Sequence, residues 1–90
     1  MRRVIIDALD MPDRDAMHLV LKDALNLPPY YGHNLDALWD CLMEIKPVEL
    51  YLRHPGLLRD LPDDLGEKLI VLLEKAAKVH PGFAFRRVGK

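Results

Sequence analysis

Asp36 and Asp40 stand four residues apart in the stretch Tyr30-Tyr31-Gly32-His33-Asn34-Leu35-Asp36-Ala37-Leu38-Trp39-Asp40-Cys41-Leu42, and Glu44 continues the row. On a helix this spacing puts all three carboxylates on one face. No lysine or arginine lies between Tyr30 and Ile45, so nothing local neutralises them. Asp36 gains from its place in the first turn, near the positive helix end, whereas Asp40 does not. Such a row beside Tyr30, Tyr31 and Trp39 suits the capture of cations, arginine above all. A guanidinium pairs with a carboxylate in forked geometry and stacks on an aromatic ring. The plain alternative is that the carboxylates are solvated on a helix exterior and the aromatic residues fill the core.

Other chemistries fit these residues less well. His33, Asp36 and Asp40 lie at i, i+3 and i+7, but His33 precedes the expected helix cap and no second histidine or cysteine is near, so no metal site is expected. Asp36 and Asp40 as an acid–base pair would sit on a convex helix in a 90-residue chain with little room for a cleft. Asp40 disfavours the thiolate of Cys41, which falls opposite the acidic row, towards the core, and reads as a buried structural thiol. His18, His54 and His80 have no constellation around them and read as surface or loop residues. No catalytic activity and no cofactor are expected.

The elements that must position this stretch follow from periodicity. Arg3 to Ile6 is a β-branched run and predicts a strand. Pro12-Asp13-Arg14-Asp15 opens a helix whose apolar face is Met17, Val20, Leu21, Ala24 and Leu25, ending before Pro28-Pro29. Tyr30 to His33 is a loop. Asn34 caps the next helix, with Leu35, Leu38, Trp39 and Leu42 as its stripe. Val48 to Leu52 alternates and predicts a second strand. His54 to Leu61 is a loop or short helix. Asp63 or Asp64 starts a last long helix with Leu65, Leu69, Leu72, Leu73 and Ala76 inward. Pro81-Gly82 ends it, and Phe83 to Val88 is a third strand. Strands separated by helices predict an α/β fold, a small three-stranded parallel sheet covered mainly on one face.

The chain of 90 residues predicts a single domain over residues 1–90, and half of it is apolar. A net charge of −1 gives no reason to expect nucleic acid. One cysteine allows no internal disulfide. The apolar run after Met1-Arg2-Arg3 is too short for a signal peptide and no stretch suits a membrane span, so the cytoplasm is expected. The tail Arg86-Arg87-Val88-Gly89-Lys90 is basic; most such arginine pairs are simply solvated.

Leu27 to Leu42, reading LPPYYGHNLDALWDCL, closely resembles the signature segment of the barstar family of intracellular ribonuclease inhibitors. Element order resembles that family along nearly the whole chain. The resemblance implies a barstar-like fold and a protein that plugs the basic active site of a secreted, barnase-type ribonuclease. The acidic helix and the loop before it would take the place of RNA phosphates. Asp40 would be the central anchor and Asp36 would pair with cations at the cleft edge. Tyr30, Asn34, Leu35, Ala37 and Trp39 would supply shape and packing, and Gly32 close backbone approach. Tyr31, Met43 and Glu44 complete the expected partner-facing set. Glu74 is the candidate from the last helix, although the apolar register slightly favours Lys75 there. His33 departs from the family, which carries an acidic residue at that loop position; Met43 and Glu44 replace smaller residues. The expected complex is one-to-one with a monomer; the alternative is an interaction module for another basic protein.

Overall fold

The N-terminal β-branched run forms the first strand, β1 (Arg2–Asp7), in the computed structural model, which describes residues 2–89. Met1 and Lys90, the end of the basic tail, lie outside the described residues. The other strands are β2 (Val48–Arg53) and β3 (Phe83–Val88). All pairing is parallel, in the order β1-β2-β3. Val4 pairs with Leu50, and Leu50 with Phe85.

Three helices connect these strands: α1 (Arg14–Leu25), α2 (Leu35–Met43) and α3 (Leu65–Val79). The strand order advances in one direction, so crossovers of the usual right-handed sense lay every helix on the same face. Burial follows that rule. Val48, Leu50 and Leu52 of β2 are buried, while Glu49 and Tyr51 are half-buried and Arg53 is exposed. The open face is held by polar links: Arg3 Nε donates to Glu49 Oε1 at 3.2 Å, and Arg53 lies 4.0 Å from the Asp7 carboxylate.

The covered face packs against Met17, Leu21 and Leu25 of α1, Leu38 and Leu42 of α2, and Leu69, Leu73 and Ala76 of α3. The stretch after β2 is a pair of 3-10 turns, Pro55–Asp60 and Pro62–Asp64. Gly66 is where α3 meets the first of them. A Cβ there would stand 2.2 Å from the Leu58 carbonyl oxygen, so no other residue fits without backbone movement. Among the described residues no helix is long and apolar enough to cross a membrane.

One histidine departs from its expected place. His18 is only 1% exposed, on the inner face of α1 beside Met17 and Leu21. The apolar stripe of α1 is turned towards position 18, leaving Val20 and Ala24 half-buried.

Candidate partner-binding site

The acidic stretch is positioned by the chain just before it. α1 stops at Asn26, which takes a left-handed conformation at φ 52°. Buried Leu27 anchors the exit. Pro28 to Tyr31 then form a tight turn, closed by the Tyr31 N–H donating to the Pro28 carbonyl at 2.9 Å. This turn throws Tyr30 outward, 85% exposed, and Tyr31 inward, 5% exposed.

Tyr31 was expected to face a partner, and its burial corrects that: the ring supports the loop from below. Its hydroxyl lies 2.6 Å from His18 Nδ1. His33, left-handed at φ 51°, lays its ring 5.1 Å from that of Tyr31 and 5.8 Å from that of His18. His18 Nε2 has no hydrogen-bond partner among the described residues. Burial pushes the His18 pKa below its ordinary value, and the positive charges of His33 and Arg14 add to this against Asp15. Burial pushes the Tyr31 hydroxyl pKa up.

Asn34 joins loop to helix. Its Oδ1 accepts from the Ala37 N–H at 2.8 Å, capping α2, and its Nδ2 donates to the Gly32 carbonyl at 3.1 Å. Its amide is thus used inside the chain, and its role is to set the loop. Gly32 is small because that amide lies over it: an added Cβ would meet Asn34 Nδ2 at 3.2 Å.

α2 presents a crest and two flanks. Leu38 and Leu42 point into the core. Asp36, Asp40 and Glu44 are exposed, and Leu35, Ala37, Trp39, Cys41 and Met43 are half-buried. Among the described residues no basic side chain lies within 4.0 Å of any of these three carboxylates. On one flank a concavity of about 740 Å³ gathers Tyr30, Asp40, Cys41 and Glu44 with Pro28, Arg2 and Lys46 at its edge. On the other, a groove of about 600 Å³ runs between α2 and α3, with Leu35, Asp36 and Trp39 facing Val71, Leu72, Lys68 and Lys75. The crest can therefore receive cationic side chains while its flanks take larger groups.

Two further placements differ from expectation. Cys41 is half-buried, and it lines the concavity with Asp40 rather than lying sealed in the core. Burial, then the charges of Asp40 and Glu44, push its thiol pKa up, away from a reactive thiolate. Glu74 turns away from α2. Its carboxylate lies 3.9 Å from Arg87 of β3, and it lines a groove beside Pro55 and Leu58. Of Glu74 and Lys75, it is Lys75 that lines the groove beside α2, as the register favoured. Sequence reasoning missed Arg2 and Lys68 beside the acidic helix, because each comes from a segment remote in sequence, and missed Lys46, which the turn just after α2 brings to the same concavity.

A family model described as "Barstar (barnase inhibitor)" matches residues 1–88. Over 42 residues the chain is 57% identical to the "Putative ribonuclease inhibitor YrdF" of Bacillus subtilis (strain 168), covering 47% of this chain and 46% of that protein. That match spans about half the length of the curated relative.

Proposed function

Because the chain belongs to the barstar family, we propose that it inhibits a barnase-type ribonuclease by setting α2 and the loop at Tyr30 into the enzyme's basic cleft. Members of this family are inhibitors rather than enzymes, and the proposal assigns the chain no chemical step. The observation that carries the reading is the crest of α2, where Asp36, Asp40 and Glu44 are exposed and free of ion pairs within the described residues.

The physical logic is direct. A ribonuclease is cationic where it holds phosphate. Fixed carboxylates match that charge and contain no bond the enzyme can cleave. Asp40, between Tyr30 and Glu44 in the concavity, takes the central arginine or lysine of the cleft. Asp36, on the other flank, meets cations at the cleft edge. Tyr30, Leu35, Ala37, Trp39 and Met43 exclude water around these pairs, which strengthens them. Gly32, Asn34 and buried Tyr31 hold the loop in shape, so little order has to be created on binding. Long-range attraction speeds encounter and is screened by salt. The complex is one-to-one.

The test is cleavage of a fluorogenic RNA by a barnase-type ribonuclease with increasing amounts of this chain, at low and high salt. Stoichiometric inhibition, with slower onset at high salt, is expected. Full cleavage in the presence of excess folded chain would refute the proposal.

A further inference from the structure

The groove between α2 and α3 carries charges that a purely cationic partner does not explain. Its floor is apolar, made by Leu35, Trp39, Val71 and Leu72. Acidic residues gather where α3 begins, at Asp64 and Glu67, and Asp36 of α2 also lines the groove. Lys75 lies two turns further along α3 than Lys68. The residues three and four positions from it on the helix are Val71, Leu72, Lys78 and Val79, none acidic. Its acidic neighbour Glu74 points to Arg87 instead. Among the described residues no carboxylate lies within 4.0 Å of Lys75. Lys68 too has no carboxylate within 4.0 Å among the described residues, but it stands at the acidic end of the groove, with Asp64 one turn before it and Glu67 beside it.

The groove therefore has an acidic end, an apolar middle and a cationic end at Lys75. We infer that it seats an acidic side chain of the bound nuclease together with an apolar neighbour, the carboxylate resting on Lys75 and the apolar group on Trp39, Val71 and Leu72. This rests on the inhibitor reading above and adds a criterion of choice to it. The crest of α2 demands cations, whereas Lys75 repels a cleft edge that is basic throughout. The preferred nuclease carries an acidic residue on the segment that lies over α3. A lysine end and an acidic crest together discriminate by both attraction and repulsion.

The groove can be tested apart from any nuclease. The full chain is titrated with N-acetyl-Phe-Glu-amide and with N-acetyl-Phe-Lys-amide at millimolar concentration while amide and indole NMR signals are followed. The glutamyl peptide should shift Val71, Leu72, Lys75 and the Trp39 indole several-fold more than the lysyl peptide does. Lys75→Glu should reverse that preference. The Asp40→Ala variant should keep it, so a failed groove and a failed inhibitor reading are distinguishable. Equal shifts, a preference for the lysyl peptide, or no response at the groove would overturn the inference. With a nuclease that the wild-type chain inhibits, Lys75→Glu should weaken inhibition by about fivefold, as expected for reversing one exposed pair. Unchanged or tighter inhibition would overturn the inference equally.

Discussion

Acid should weaken this fold through one buried histidine. His18 is 1% exposed, with Nδ1 on the Tyr31 hydroxyl at 2.6 Å and Nε2 unpartnered. Burial, helped by His33 and Arg14, holds its pKa below the ordinary 6.5, with only Asp15 opposing. The sign follows from proton counting. Above pH 6.5 the ring is neutral in both the folded and the unfolded chain, and it adds no pH dependence. Below that value the unfolded chain takes a proton that the folded chain refuses. Stability is then fully present above 6.5 and falls as pH drops towards the folded pKa. One proton gives a slope of about 1.36 kcal/mol per pH unit inside that window. Urea unfolding from about pH 7.5 to about pH 5.5 measures it. The comparison is His18→Asn, whose amide keeps a polar group near the Nδ1 position and cannot titrate. It should be less stable at neutral pH, because ring packing is lost, yet show a shallower slope by about one proton's worth. Parallel pH curves for the two proteins would refute the claim that the fold holds His18 neutral.

Other perturbations have separable outcomes. Asn34→Ala removes the α2 cap and the tie to Gly32 together; it should cost about 1 to 2 kcal/mol in urea unfolding and weaken inhibition by loosening the loop. Gly66→Ala forces a Cβ against the Leu58 carbonyl; thermal unfolding should show a loss of several degrees or more, and an unchanged midpoint would contradict the close approach. Cys41, with its thiol pKa raised, should alkylate with iodoacetamide more slowly than free cysteine at mildly alkaline pH, and a faster reaction would contradict the placement beside Asp40 and Glu44.

The strands and helices were legible because their signals are local. The alternation of Val48 to Leu52, the Asp13 and Asn34 caps and the leucine stripe of α3 each need only a few neighbours to specify them. The acidic crest of α2 was legible for the same reason: four-residue spacing on a capped helix fixes a face. What lies beside the crest was not. Arg2 and Lys68 reach it only through strand pairing and helix packing, which spacing does not encode, and Lys46 through the turn that follows α2. Tyr31 and His18 are thirteen residues apart and satisfy each other across a helix–loop junction. Position 18 stands three and seven residues before Leu21 and Leu25, the spacing of the buried face, so the pattern carried the signal; a titratable ring there reads as exposed only until its hydroxyl partner is known. Lys75 was half legible, since the stripe of α3 turned it towards α2 while the resemblance favoured Glu74.

The central claim is that Asp40 anchors a ribonuclease cleft. Isothermal titration of this chain into a barnase-type ribonuclease, with folded Asp40→Ala alongside, tests it most directly. The account predicts tight one-to-one binding that blocks RNA cleavage and falls by at least about a hundredfold in the variant, the loss expected when one partner of a desolvated charge pair is removed. Equal binding by both proteins would contradict the role given to Asp40, and no binding by either would contradict the inhibitor reading itself.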